Sequence, residues 1–216
     1  MQVSADNLED AAAKMAEANA GSNQCIIAMV KRSYGCCCFD IKFDVPAGFI
    51  VMEESCGKST GIMTAGANWC YCANKRVACM LTKNMVQYDA PVQRCPTKDN
   101  AYVDIDIHFT FRLPQQKTDV HNFVYKLGAG RFDELLAAEV EENIRDFIQG
   151  VWLVNVFDLK SDMATKMMTQ LNKKFSEYAI IFEQCNVTNV IVNPHLQYAL
   201  QEKTKIRFDL KNHNKD

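Results

Sequence analysis

The sequence predicts an α+β fold: an antiparallel strand meander, then a helical layer, then a strand that returns to the sheet. Three observations predict it. Tyr102 to Arg112 (YVDIDIHFTFR) alternates strictly, with Val103, Ile105, Ile107, Phe109 and Phe111 apolar and Asp104, Asp106, His108, Thr110 and Arg112 polar. Successive strand side chains point to opposite faces, so this stretch is a strand with one buried and one solvated face. Its five apolar residues are all β-branched or aromatic, which suits a pleated, half-buried surface. After Leu113-Pro114 the apolar period lengthens to that of a helix, and strand character returns from Ile180 to Val192 (IIFEQCNVTNVIV).

In chain order, residues 4–20 read as a short helix. Asp6 followed by Glu9 resembles a capping box, Leu8, Ala12 and Met15 form a thin apolar stripe, and Gly21-Ser22-Asn23 ends the element. So thin a stripe predicts weak packing. Cys25 to Val30 is an apolar run of strand length. Ile41, Phe43 and Val45 alternate with Asp40, Lys42 and Asp44 as a second strand, Pro46-Ala47-Gly48 turns, and Phe49 to Met52 is a third. Lys75 to Leu81 is a further strand with Val77, Cys79 and Leu81 on one face, and Val86, Tyr88 and Val92 continue the meander. Gly57, Gly61 and Gly66 mark the turns between these strands, and Thr97-Lys98-Asp99-Asn100 is a polar turn cluster before the alternating strand.

The helical layer has three parts. Val120, Phe123, Val124 and Leu127 stand at i, i+3, i+4 and i+7, with Thr118 or Asp119 as cap and Gly128 as stop. A second helix runs from about Asp133 to Gln149, with Leu136, Val140, Ile144, Phe147, Ile148 and Val151 along one face. A third starts at Ser161, striped by Met163, Met167, Leu171 and Phe175 with Met168 and Tyr178. Pro194 opens a last helical stretch with Leu196, Ala199 and Leu200 on one side.

Length and composition narrow the function classes. A chain of 216 residues builds one domain, or one domain with a small appendage. The formal charge of −2 and the mixed charge pattern carry no nucleic-acid footprint. No apolar run reaches the roughly 18 residues of a membrane-spanning helix. Residues 1–24 lack the apolar core of a secretory signal and the arginines of a transit peptide. Ten cysteines without a secretory signal are expected as reduced thiols, several of them in the core. Cys36, Cys37 and Cys38 differ, because three consecutive cysteines cannot all face one core.

Pro46-Ala47-Gly48-Phe49-Ile50-Val51, Cys56-Gly57-Lys58, Ala65-Gly66 and Thr97-Lys98-Asp99-Asn100, in this order before the alternating strand, resemble the signature of the SPFH or band 7 superfamily of stomatins, prohibitins and flotillins. The turn cluster and its strand, ending in Phe111-Arg112, are the most specific part of the likeness. Gly48, Gly57, Lys58, Thr97, Lys98, Asp99 and Asn100 are the positions that carry it. It covers roughly residues 40–206, and the Cys-rich run Asn68 to Leu81 looks most like the hypersensitive-induced response branch. The sequence departs from the pattern in places. Ala179 stands where the family has Gly, which works against a left-handed helix end. The second Gly of P-x-G-x-x-G is absent, Lys160-Ser161-Asp162 replaces the usual Arg-Glu, and Lys205 to Asp216 shows no heptads of a coiled coil. The organisation expected is an N-terminal extension over 1–24, a candidate membrane-association segment with the first strands over 25–45, an SPFH-like domain over 46–206, and a polar tail over 207–216.

Lys31-Arg32-Ser33-Tyr34-Gly35-Cys36-Cys37-Cys38-Phe39 is the leading functional candidate. Cys36, Cys37 and Cys38 could take reversible S-acylation with palmitate, while Lys31 and Arg32 attract anionic lipid. The bland alternative packs two of these cysteines in a strand pair. Gly57-Lys58-Ser59 imitates a phosphate loop, but position 52 is Met and no helix pattern follows Thr60, so it reads as a turn. Cys70 and Cys72, near Cys56, Cys79 and Cys95, lack the two spaced pairs of a zinc site. Asp104, Asp106 and His108 share one strand face, where neighbours stand about 6.6–6.8 Å apart, so three of them cannot converge on one ion unaided. His108, His121, His195 and His213 are scattered, with no convincing nucleophile beside them in sequence. No cofactor and no catalysis are expected.

The resemblance implies a membrane-associated, oligomeric, non-catalytic scaffold subunit on the cytoplasmic face, with membrane lipids, further copies of itself and other proteins as partners, and no nucleic acid. The competing expectation is a soluble structural accessory subunit of a larger assembly, which the missing heptads favour.

Overall fold

The computed structural model describes residues 2–19, 24–30, 42–69, 75–156 and 160–192. Along the chain these form β1 (Gln2–Ala5), α1 (Leu8–Ala18), β2 (Ile27–Val30), β3 (Lys42–Val45), β4 (Phe49–Ser55), β5 (Lys58–Met63), β6 (Gly66–Trp69), β7 (Lys75–Thr82), β8 (Val86–Pro96) and β9 (Tyr102–Arg112). The helical layer follows as α2 (Lys117–His121), a π-helical stretch (Asn122–Leu127), α3 (Ala129–Gln149) and α4 (Lys160–Phe175), and β10 (Ile181–Val192) closes the described fold. The strands make a five-stranded sheet in the order β1-β2-β7-β4-β5, a three-stranded sheet in the order β10-β9-β8, and a ribbon of β3 with β6. The α+β class holds, with antiparallel sheets, a helical layer and a returning strand; β1 is the exception, pairing in parallel with β2 across α1.

The N-terminal helix is shorter than the sequence suggests. Residues 2–5 are extended, and Asn7 rather than Asp6 is the cap, its side chain accepting from the Asp10 amide at 2.8 Å. Leu8, Ala11 and Met15 are buried against Cys25 and against Ala28, Val30, Val51, Val77 and Met80 of the five-stranded sheet. A thin stripe suffices because a sheet face covers it. That face also takes Val77, which the sequence pattern assigned to the side of Cys79 and Leu81. The β4–β7 register skips a residue between Cys79 and Val77, and such an irregularity turns the strand over. Gly61, expected in a turn, lies within β5 opposite Glu53.

β9 is the middle strand of its sheet, and its burial alternates along its whole length. Val103, Ile105, Ile107, Phe109 and Phe111 lie under α3 and α4 in a core with Phe123, Phe132, Phe175 and Phe182. Ring centroids stand 5.3 Å apart for Phe111–Phe132 and 5.4 Å for Phe132–Phe175, both near edge-to-face, a geometry worth about 0.5–1.5 kcal/mol per pair beyond area burial.

The first predicted helix is two elements. α2 starts at Lys117 after Gln116 as a cap residue with no side-chain bond, so neither Thr118 nor Asp119 plays that part, and the turn then widens to π spacing. Gly128 ends it as expected, at φ 74°, its amide reaching the Phe123 carbonyl at 2.7 Å. α3 starts four residues earlier than its pattern suggests and adds Phe132 to the core. After α4, Ala179 adopts φ 52° and ψ 31°, so the left-handed end forms despite the missing glycine. The Ala179 amide bonds to Ser176 at 3.0 Å and the Ile180 amide to Phe175 at 3.4 Å, the paired bonds of a Schellman motif, with Phe175 and Ile180 both buried. That closure outweighs the roughly 1–2 kcal/mol that a left-handed L-residue costs.

Candidate functional site

The signature turns have direct physical explanations. Lys98, Asp99 and Asn100 form a three-residue hairpin loop between β8 and β9, closed by the Thr97 amide on the Ala101 carbonyl at 2.8 Å. Loops of this length pair a tight turn with one left-handed residue. Asn100 is that residue, at φ 57°, which accounts for Asn or Gly at this place. The buried Thr97 hydroxyl donates to the Ala101 carbonyl at 3.1 Å and accepts from the Ala101 amide at 3.2 Å. Lys98 docks the loop on the end of α3: its amide bonds to the Val151 carbonyl at 3.0 Å, and its ammonium lies 4.8 Å from the Trp152 ring centre. Gly57 follows Cys56 in a two-residue hairpin, both with positive φ (78° and 49°), so Gly57-Lys58-Ser59 is a strand connection. Lys58 is exposed at the start of β5. Gly48, at φ 87°, receives the Lys83 amide on its carbonyl at 2.8 Å and ties the turn before β4 to the end of β7.

The polar face of β9 does not gather a ligand set. Asp104 accepts from the Arg94 amide at 2.7 Å, where Arg94 sits at positive φ in a bulge of β8. Asp106 accepts from Asn189 of β10 at 3.3 Å, His108 bonds to Asp89 of β8, and Arg112 pairs with Glu183 at 2.6 Å. Each of these four is thus tied to a different neighbour across the sheet. Among the described residues no group of three or more His, Cys, Asp or Glu is arranged to hold a metal ion. At one end of this face Tyr102 (62% exposed) and Ile191 (53%) lie diagonally across adjacent strands, and Trp152 (51%) stands beside the hairpin loop. This end of the sheet exposes aromatic and apolar side chains, with the Lys98 ammonium over the Trp152 ring.

The described thiols divide cleanly. Burial pushes Cys79 and Cys185 up to about 12 and Cys95 up to about 11 and raises Cys25 as well, so these four stay protonated at neutral pH, whereas Cys56 is exposed at its hairpin tip. Cys185 and the methionines Met163 and Met167 are core, as their strand and helix patterns suggest. Lys31, Arg32, Cys36, Cys37, Cys38, Cys70, Cys72, His195 and His213 lie outside the described residues.

Sequence reasoning missed one cluster. Glu54, on β4, is 5% exposed. Its Oε2 accepts from Arg76 Nε at 2.8 Å and from the Arg76 terminal nitrogen at 2.6 Å, and its Oε1 accepts from the Tyr125 hydroxyl. Burial alone would raise the Glu54 carboxyl, but the bonds from Tyr125 and Arg76 and the Arg76 charge outweigh it and hold the carboxyl below its ordinary value. Burial and then the Glu54 carboxylate push the Tyr125 phenol up. Next to it Glu53 pairs with Lys75 at 2.7 Å. A signal existed: Glu53-Glu54 and Lys75-Arg76 are two opposite-charge pairs in strands that could lie side by side.

Compared with known protein families, residues 43–211 match the model of the SPFH domain / Band 7 family.

Proposed function

The chain belongs to the SPFH/band 7 family, and from that premise we propose that it is a non-catalytic subunit of an oligomeric scaffold attached to the cytoplasmic face of a membrane. Proteins of this family are in general membrane-associated, oligomerising and non-enzymatic. The observation that carries the reading is the family match over residues 43–211, supported by turns whose signature residues serve the backbone. No helix among the described residues is long and apolar enough to cross a membrane.

Attachment is assigned to Cys36, Cys37 and Cys38, acylated, with Lys31 and Arg32 meeting anionic headgroups. Each buried methylene of an acyl chain contributes about 0.8 kcal/mol, and one chain alone anchors only marginally, so a second chain or a basic flank is needed for stable residence. Self-association is assigned to the outer face of the three-stranded sheet, with Tyr102, Trp152 and Ile191 as apolar contacts inside a polar surround. Acyl-exchange labelling of the native protein, with Cys36→Ser, Cys37→Ser and Cys38→Ser combined, tests the anchor. The native triplet should be labelled and the protein should pellet with membranes through carbonate. An unlabelled triplet removes the anchor, and a complex extracted by salt alone favours a soluble accessory subunit instead.

A further inference from the structure

Lys117 to Leu127 forms a strap across one face of the five-stranded sheet. At its start Lys117 Nζ donates to the Thr60 carbonyl of β5 at 2.6 Å. Val120, Phe123 and Leu127 enter the core shared with Met52, Cys79 and Leu81 of that sheet. Near its end Tyr125 stacks beside His121, with ring centres 4.7 Å apart, and donates to the Glu54 carboxylate that Arg76 holds from the other side.

The strap's sequence and its structure disagree in an informative way. The spacing of Val120, Phe123, Val124 and Leu127 is that of an ordinary α-helix with Val124 in the core. The structure runs α only to His121 and π over Asn122–Leu127, leaving Val124 partly buried and Tyr125 reaching Glu54. π stretches are rare, short and concentrated at functional positions. Nothing in the apolar pattern selects the wider turn, and α2 starts without a side-chain cap. In the π register Tyr125 donates to Glu54, a buried carboxylate.

We propose that Lys117–Leu127 is a two-state strap whose register is set by the Tyr125–Glu54–Arg76 latch. Latched, it runs in the π register and seals the sheet face over Cys79; released, it exchanges between that register and the α register its sequence encodes, and the face over Cys79 opens during the exchange. The strap packs on the five-stranded sheet on one side and shares its core with α3 and α4 on the other, so its register governs how firmly the two halves of the domain are joined. This holds independently of any membrane role.

The test uses Tyr125→Phe, which removes one hydroxyl and keeps the ring, and Glu54→Gln, which removes the charge and keeps the shape. Native-state alkylation of Cys79 is followed by peptide mass spectrometry, with Cys185 in the other sheet as internal reference, and hydrogen exchange is read over 117–128 and over β9. Release should raise Cys79 alkylation by about tenfold to a hundredfold, the effect of losing one hydrogen bond to a charged group. Exchange over 122–128 should rise with it, while Cys185 and β9 stay at their native rates. Unchanged Cys79 overturns the proposal. So does a parallel rise at Cys185, or a failure of both variants to fold, because the latch would then be a plain structural staple.

Discussion

Replacing Thr97 by valine exchanges a hydroxyl for a methyl group at nearly constant shape, inside the hairpin loop that carries the family signature. Thr97 is 4% exposed and Ala101 8%, so the Ala101 amide left behind has little access to water. An unsatisfied buried donor costs about 1–3 kcal/mol, and burying the new methyl returns up to about 0.8 kcal/mol. The net loss is about 1–2 kcal/mol, equivalent to a fall in Tm of about 2–8 °C for a domain of this size. The assay is urea unfolding followed by far-ultraviolet circular dichroism, since Trp152 fluorescence would report the loop locally. Two controls bracket it. Asp99→Asn, at an exposed loop position, should stay within about 0.5 kcal/mol of wild type. Asn100→Gly should be neutral or slightly stabilising because φ is 57°. Wild-type stability in Thr97→Val, or a larger loss in Asp99→Asn, would refute the view that this signature is backbone chemistry.

Further predictions concern the core and the charges. Ile107→Asp places an unpaired charge under the helical layer and should unfold the domain, whereas Asp106→Asn, which keeps an acceptor for Asn189, should change thermal stability by less than about 0.5 kcal/mol. Ala179→Gly relieves a left-handed alanine and should stabilise by about 0.5–1 kcal/mol in denaturant titration, after the added entropy of a glycine in the unfolded chain. Glu54 is held below its ordinary value in the folded chain, so its contribution is fully present above the unfolded glutamate value and is lost as pH falls through the folded one. Glu54→Gln should therefore flatten the acid limb of the stability–pH curve, measured by thermal melts across that range.

How much the sequence discloses depends on whether a feature is local. β9 is legible because a half-buried strand writes its burial directly as period two, and α3 and α4 write theirs as apolar stripes. The hairpin loop is legible because three residues fix it. β1 is not: Gln2–Ala5 has no apolar run, and it is a strand only because α1 folds it back in parallel on β2. Val77 is misplaced by a single skipped residue, which periodicity cannot see. The π stretch is hidden because its selecting partner, Glu54, lies 71 residues away in sequence. Glu54 reads as surface in isolation, and its burial follows only from Arg76 across the strand pair and Tyr125 above it.

The central claim, that this domain works as one of many identical or related subunits at a membrane, is tested most directly by the native mass of the full chain extracted in mild detergent. The account predicts an assembly of multiple copies recovered from the membrane fraction, broken up by charge substitutions at Tyr102, Trp152 and Ile191 that leave the melting temperature in place. A monomer found in the soluble fraction without detergent would contradict it.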